Sequence, residues 1–412
     1  MSRLLKLSIA IALAIVFILA AVTGALRYWV NSDDFRQRVS QQIASAIGVP
    51  VHLGGISVDV WPLPAVALEQ VQVKSQPPLS LGRIEARPVW MGLLQGRLEI
   101  ATLIVRDAVV PAPAVAAITA AAAKQRPGGA AKGAQAGGMA MLPHRVVLDD
   151  VTWVDNKGVR TTVDGEGRRD ADGLPSSVRI EVVRGRLQGA KATMQRKGDD
   201  WALDAKVGGG SITGKLQLRQ AKGGPLLTGQ LETKDVEVSA LTAPSRTLTG
   251  RLEASTSLDA QVREIGALAD ALQTRTKFIV HGAVIHGIDL AKAVKTVGMN
   301  RSGETRLDTL AGNVTTRGQA VQVTNLVANS GLMAATGNVN MAPDKTLNGR
   351  VDVTASVPVG GRAIAVPLAV GGTLDSPSVT LSSSALAGAA IGAATAPGGG
   401  SLGDRLKGLF GK

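Results

Sequence analysis

The chain contains no cysteine among its 412 residues. This absence excludes a disulfide framework, a thiolate metal site and a thiol nucleophile. A cysteine-free chain also suits an oxidising compartment, where unpaired thiols are a liability.

Aromatic residues are almost as scarce, at 2% of the chain, whereas glycine occurs 49 times. Small apolar side chains and frequent turns favour many short strands over a few large helices. The net charge of +13 is scattered along the chain rather than gathered in blocks. Without aromatic side chains to stack on bases, this positive charge does not indicate nucleic-acid binding.

Sequence motifs for catalysis are also missing. The chain has no Gly-x-Ser-x-Gly elbow, and Gly208-Gly209-Gly210 lacks the Lys-Ser/Thr of a phosphate loop. The acidic pairs Asp149-Asp150 and Asp199-Asp200 lie beside turns, where solvated carboxylates are common. We therefore predict no catalytic residue, no cofactor and no metal, the last because no metal-ligand spacing relates the four histidines, His52, His144, His281 and His286.

Only one long apolar run occurs, from Leu7 to Leu26, and it carries no charge. Twenty helical residues span about 30 Å, the thickness of a bilayer core. Positive residues precede the run, which favours a cytoplasmic N-terminus, and two interfacial aromatics follow it. We predict a transmembrane anchor over residues 1–30, with membrane-contacting residues Leu7, Phe17, Leu26, Tyr28 and Trp29.

A cleaved signal peptide is the alternative for this segment, with Thr23-Gly24-Ala25 as its cleavage site. The length of the run and the Tyr28-Trp29 pair favour the anchor. Both interpretations place the remaining chain outside the cytoplasm.

An amphipathic helix is predicted from Ser32 to Ile47, because apolar residues recur there every four positions. Gly48 and Pro50 end it. Its apolar face is expected to cover one end of the following sheet, with the membrane surface as the alternative.

Beyond Pro50 the apolar period changes from four to two, which is typical of half-buried strands. Two helical interruptions are predicted, at Asp259–Leu272 and at Asp289–Val297. A closed barrel, a sandwich or a curved trough would each cover the apolar side of such strands, and periodicity does not choose among them. The predicted regions are 31–110 (helix and strands), 111–143 (Ala/Gly/Pro-rich linker or loop with a short helix in its Ala-rich half), 144–381 (β-rich body) and 382–412 (Ala/Gly-rich tail with a short basic amphipathic segment).

The order of these segments resembles the AsmA family of bacterial envelope proteins. The likeness begins with the membrane helix, then Asn31-Ser32-Asp33-Asp34-Phe35 opening a helix that ends at Gly48-Val49-Pro50-Val51. Near the C-terminus, Phe278 to Leu290 looks like the family's strand, turn and helix unit. Val370 to Pro377 looks like its closing strand and turn. No single motif is diagnostic, and the likeness covers about half the chain, at both ends.

The resemblance implies a mainly β fold: a transmembrane helix, an amphipathic helix, and an elongated, curved antiparallel sheet forming a groove, with a few short helices. It implies a single-pass inner-membrane protein with its body in the periplasm, involved in outer-membrane assembly and phospholipid transport. The partners expected are phospholipid, the inner membrane, and outer-membrane or periplasmic proteins. The expected groove lining is Ile56, Val58, Val60, Leu98, Ile100, Val351, Val353, Ile364, Val366 and Leu368.

An alternative function from another class uses the same β body. In this interpretation the protein is a non-transport scaffold or regulator of envelope biogenesis that binds protein partners.

Overall fold

A computed structural model describes residues 33–59, 65–89, 92, 99–124, 143–156, 158–221, 224–261, 271–290, 292, 303–331, 333–355 and 364–382. Within them the protein is mainly β, with twenty strands and three short helices. The chain forms two compact units, Met1–Gln188 and Gly189–Lys412. The predicted anchor and nearly all of the predicted tail lie outside the described residues, and no described helix has the length and apolar character needed to span a bilayer.

The first unit contains two helices and eight strands. They are α1 (Asp33–Ile47), β1 (Val51–His52), β2 (Gly55–Asp59), β3 (Ala65–Val73), β4 (Leu79–Pro88), β5 (Ile100–Pro111), α2 (Ala112–Lys124), β6 (Arg145–Val154), β7 (Arg160–Arg169) and β8 (Pro175–Gly185).

Strand pairing in the first unit corrects the prediction of a purely antiparallel sheet. Strands β1 and β2 both pair with β3, and β3 to β8 pair in chain order. Strand β5 runs parallel to β6, with Thr102 opposite Arg145. A parallel pair needs a crossover connection, and the segment beginning with α2 provides it.

Helix α1 contacts the sheet as predicted. Phe35, Val39, Ile43 and Ile47 pack against a cluster that includes buried Ile56. The hydroxyl of Ser40 also donates to the carbonyl oxygen of Val51, which fixes the helix over the first strand.

Helix α2 confirms the short helix predicted in the Ala-rich half of residues 111–143, but this helix packs into the core instead of forming part of a linker. Its Ala114 is fully buried, and its Val115 and Ile118 pack into the same cluster as α1. Alanine is the best helix former, and its small side chain allows close helix packing. The Ala-rich half of the segment is therefore part of the core, while residues 125–142 lie outside the described residues.

The second unit contains twelve strands and one helix. They are β9 (Lys191–Lys197), β10 (Asp200–Val207), β11 (Gly210–Ala221), β12 (Gly224–Glu237), α3 (Val238–Thr242), β13 (Leu248–Gln261), β14 (Leu272–His286), β15 (Glu304–Arg317), β16 (Ala320–Ser330), β17 (Met333–Met341), β18 (Leu347–Ala355), β19 (Ile364–Thr373) and β20 (Ser376–Leu381). Each strand pairs antiparallel with the next along the chain.

The predicted helix over Asp259–Leu272 is wrong at both ends. Asp259 and Ala260 pair with strands on both sides, and Leu272 begins β14. Cross-strand pairing therefore outweighs the local helical pattern there. The second predicted helix begins at Asp289, whose Oδ1 accepts a hydrogen bond from the Lys292 backbone N–H at 2.8 Å; most of its remaining residues lie outside those described.

Aligned irregularities bend the sheet of the first unit. Gln70, Asp107 and Asp150 have left-handed backbone angles (φ 51°, 51° and 54°). The registers place Gln70 and Asp107 opposite Gly82, and Asp150 opposite Asp107, so these positions line up across four strands. Such positions interrupt the ladder and increase the local twist.

The second unit uses similar irregularities, and the N–H groups that they release are satisfied by side chains. The Asn325 N–H (φ 51°) donates to Asn338 Oδ1 at 3.1 Å, and the Gly250 N–H donates to Glu237 Oε1 at 3.0 Å. In the first unit the Asp150 N–H donates to Asp164 Oδ1 at 2.8 Å.

Candidate functional site

The strand register of the second unit creates one apolar face. Directly opposed residues of antiparallel strands have side chains on the same face. Following these pairs from β9 to β20 gives a line of twelve residues, here called the apolar row. Its members are Met194, Leu203, Gly214, Leu231, Thr256, Thr276, Val314, Val323, Val339, Gly349, Val370 and Val379.

The opposite face of the same strands is polar. A matching line, one position along each strand from β9 to β16, contains only polar or charged side chains: Thr193, Asp204, Thr213, Glu232, Ser255, Lys277, Asn313 and Thr324. In the apolar row the two threonine hydroxyls bond to each other at 2.9 Å, so they leave little unpaired polarity. One face of this sheet therefore favours water and the other favours hydrocarbon.

Coverage of the apolar face changes along the unit. Toward β14–β20 the face is closed, and Val280, Val353 and Leu368 are at most 1% exposed. On β9–β13, Trp201, Val207 and Val236 are buried, and Leu248 and Leu252 pack against the core cluster of the second unit. Eight other large apolar side chains on the face of the apolar row remain partly exposed and, among the described residues, join neither core cluster. These side chains, here called the open apolar face, are Met194, Leu203, Ile212, Leu216, Leu218, Leu227, Leu231 and Leu258.

Charged residues mark the β9 border of the open apolar face. The Arg196 guanidinium lies 5.4 Å from the centre of the Trp201 ring, directly across from it on β10, and Trp201 is buried. Lys191 and Lys197 are exposed at the two ends of β9. Charges of this kind discourage the addition of another strand.

An apolar cavity of about 170 Å³ lies under the closed part of the face. Its lining includes Ile285 on β14 and Val379 on β20, which are six strand spacings apart. In a flat sheet these strands would be about 29 Å apart. The sheet of the second unit must therefore curl here, so that its two sides face one cavity. The other lining residues are Thr247, Ile288, Leu290, Leu310, Leu326, Ala328, Ala335, Val339, Val351, Val370 and Pro377.

A cavity of this size is unusual for a sealed core. An apolar cavity of about 150 Å³ admits a benzene molecule. The cavity can therefore hold an apolar group of about six carbon atoms.

A polar cleft of about 510 Å³ adjoins the cavity, because Thr247 and Pro377 line both. Thr247 Oγ1 donates to the Leu374 carbonyl oxygen at 2.9 Å and lies 2.9 Å from Ser245 Oγ, which leaves the threonine methyl for the cavity. The other residues lining the cleft are Pro244, Arg246, His286, Gly287, Asp375 and Ser376.

The ionisable residues of the cleft differ in their partners. Asp375 Oδ2 is 3.0 Å from Lys345 Nζ, and His286 Nδ1 is 2.9 Å from Glu304 Oε1. Arg246 is exposed and has no ion-pair partner among the described residues. The cleft thus presents one uncompensated positive charge beside an apolar cavity.

In the first unit the apolar face is covered at one end by α1 and α2. Further along the same face, Val66, Trp153 and Ile180 are 44%, 41% and 38% exposed. The first unit therefore also has an apolar face that is only partly covered.

Charged side chains on the first unit form ion pairs. The side chain of Glu85 is 7% exposed, and its Oε1 is 2.7 Å from Arg87 Nη2. Arg184, bonded to Asp150, lowers the pKa of that carboxyl. The Arg145 guanidinium, and after it that of Arg168, lowers the pKa of the Glu166 carboxyl. These pairs stabilise the sheet surface and do not converge on a cleft.

The predicted lining residues fall into separate clusters. Val351, Val353, Val366 and Leu368 meet in the second unit, where Val351 lines the cavity. Ile56 and Val58 belong to the first unit's cluster under α1, and Ile100 opens β5 outside both clusters. Val60 and Leu98 lie outside the described residues, and Ile364 is placed only as the first residue of β19.

Sequence reasoning missed both the open apolar face and the cleft. The alternation of Leu216 with Lys215 and Gln217 indicates a strand with one apolar and one polar face, so the open apolar face could have been predicted from the sequence. No sequence pattern indicates that Arg246 lines a cleft, because this residue lies between turn residues. Among the described residues, no three histidine or acidic side chains are grouped so that they could hold a metal ion.

No family model, curated protein or solved structure matches this chain. The likeness to the AsmA family therefore rests on the order of the motifs quoted above.

Proposed function

We propose that this protein binds the acyl chains of phospholipids on its apolar sheet face and carries phospholipid between the membranes of a bacterial envelope. In this proposal residues 1–30 anchor it in the inner membrane and the β units lie in the periplasm, where the protein supports outer-membrane assembly. No chemical step is required, so the protein is not an enzyme.

The observation that carries the proposal is the open apolar face on β9–β13. Eight large apolar side chains remain partly exposed there, while the opposite face of the same strands is polar. Burying about 200 Å² of acyl surface against them would stabilise the complex by roughly 5 kcal/mol. The lipid headgroup would stay in water at the margin of the face.

Neighbouring residues with opposite orientation allow a sharp test. A photocrosslinking amino acid at Leu231 reports on the apolar face, and the same amino acid at Glu232 reports on the polar face. We expect phospholipid adducts from Leu231 and Leu216, and none from Glu232 or Lys215, when the full chain is crosslinked in cells and analysed by mass spectrometry.

The same experiment can reject the proposal. Adducts with protein but never with lipid at Leu231 and Leu216 would instead support a scaffold that binds other proteins. Equal lipid labelling at Leu231 and Glu232 would indicate only general proximity to a membrane.

A further inference from the structure

The geometry points to a second binding site in the second unit, for a single-chain fatty-acid carboxylate. Its acyl end would occupy the apolar cavity, and its carboxylate would lie in the adjoining polar cleft. The inference rests on the proposed function in taking a lipid-like amphiphile as ligand. It concerns a different place, since none of the residues of the open apolar face lines this cavity.

The cavity selects one short chain. Its volume of about 170 Å³ holds about six carbons. It is closed on the β14–β20 side by side chains such as Leu310 and Val351, which are 6% and 8% exposed. Two acyl chains of a phospholipid would not fit, whereas one chain of about eight carbons would leave only its carboxyl end outside.

Two residues, Thr247 and Pro377, line both the cavity and the cleft, and neither has an unsatisfied hydrogen-bonding group there. The Thr247 hydroxyl is engaged with the Leu374 carbonyl and with Ser245. Pro377 has no N–H to satisfy. An alkyl chain that passes between the cavity and the cleft would therefore meet no unpaired polar group at Thr247 or Pro377.

The cleft selects a monoanion. Its one cation without a partner among the described residues is Arg246, whereas Asp375 is paired with Lys345 and His286 with Glu304. A guanidinium binds a carboxylate through two parallel hydrogen bonds. The Ser376 side chain, exposed in the same cleft, adds a hydroxyl donor.

The test uses the full chain in lipid nanodiscs, labelled with octanoate carrying a photoreactive diazirine near its methyl end. Neutral 1-octanol with the same diazirine is the second probe. We expect adducts from both probes on residues that line the cavity, such as Leu310 and Leu326. We expect Arg246→Gln to reduce octanoate labelling about tenfold and octanol labelling less than twofold, because only octanoate needs the charge.

Two further variants complete the design. Arg219→Gln, which removes an exposed arginine on β11 far from the cleft in the sequence, is the control. Octanoate labelling of the cavity in this variant should stay at the wild-type level. Ala328→Phe fills the cavity and should abolish labelling by both probes, and circular dichroism checks that this variant folds. Unchanged octanoate labelling in Arg246→Gln, or cavity labelling that persists in a folded Ala328→Phe protein, would overturn the inference.

Failure here is distinguishable from failure of the proposed function. Phospholipid adducts at Leu231 depend on the open apolar face, so Ala328→Phe should leave them unchanged. Loss of lipid at Leu231 with intact octanoate labelling would reject phospholipid transport and retain the cavity site.

Discussion

At the scale of single residues, Glu166 links the charge of the first unit to its stability. Its carboxylate bonds to Arg145 at 2.9 and 3.1 Å and to Arg168 at 2.9 Å. These partners hold its pKa below the ordinary value of 4.5. The folded state therefore binds the ionised form more strongly than the unfolded chain does.

We predict that the ionised Glu166 carboxylate makes the stability of the folded protein fall at low pH. A lowered folded-state pKa contributes stability that is present above pH 4.5 and is lost as the pH falls through the lowered value. Glu166→Gln should therefore lose less stability between pH 7 and pH 3 than the wild type, measured as the shift in urea midpoint. Glu232→Gln, at an exposed site without an ion-pair partner among the described residues, is the control. An equal shift in all three proteins would contradict the role given to Glu166.

Residue-scale features of the cleft could not be predicted from the sequence. Thr247 meets Leu374 from 127 positions away, and only the curl of the sheet brings them together. By contrast, strand alternation placed Val353 and Leu368 on the apolar faces of their strands, and both side chains are fully buried. Local periodicity fixes which face a residue occupies, but it does not say which distant strand that face will meet.

At the scale of secondary-structure elements, the sheet bends at residues with a left-handed backbone conformation. The backbone N–H groups of Asp150 and Asn325 donate to side chains instead of to the backbone of the neighbouring strand. Asp164 accepts from the Asp150 N–H, as Asn338 does from Asn325. These acceptors sit on the next strand, so each bend is fixed by a pair of strands rather than by one.

We predict that the Asp164 acceptor stabilises the bend by about 1–2 kcal/mol, because its loss leaves the Asp150 N–H without a partner. Asp164→Leu should lower the free energy of unfolding by that amount. Asp164→Asn keeps an acceptor oxygen but removes the charge, and it should cost less than half as much. If both substitutions cost the same, charge rather than the hydrogen bond stabilises this position; urea unfolding at pH 7 makes the measurement.

Element types were partly predictable. The four-residue period of α1 and the alternation of most strands indicated the correct structure. A short helix was predicted where α2 lies, but the low-complexity composition of the segment hid the core contacts of this helix, among them those of Ala114. The parallel β5–β6 pair could not be foreseen, since a strand's periodicity carries no information on the direction of its neighbour.

At the scale of the whole molecule, the chain forms two compact units, divided between Gln188 and Gly189. The sequence instead suggested a division at residues 111–143. The β5–β6 pair joins the strands on either side of that segment into one sheet, which explains why no boundary lies there.

We predict that core substitutions act on their own unit. Leu368→Ala should destabilise the second unit by about 2–5 kcal/mol, and Ile56→Ala should do the same to the first, because each removes a buried side chain from a separate cluster. Hydrogen–deuterium exchange read peptide by peptide should show faster exchange only in the substituted unit. Faster exchange throughout the chain in either variant would mean that the two units unfold as one.

The apolar row and the lack of cysteine together allow distances across the sheet to be measured between spin labels. A single cysteine introduced at any row position would be the only thiol in the chain, so a spin label could be attached there without background. Labels at Thr276 and Val379 sit six strands apart, which is about 29 Å along a flat sheet. A shorter distance measured by electron paramagnetic resonance would give the width of the curl directly in solution.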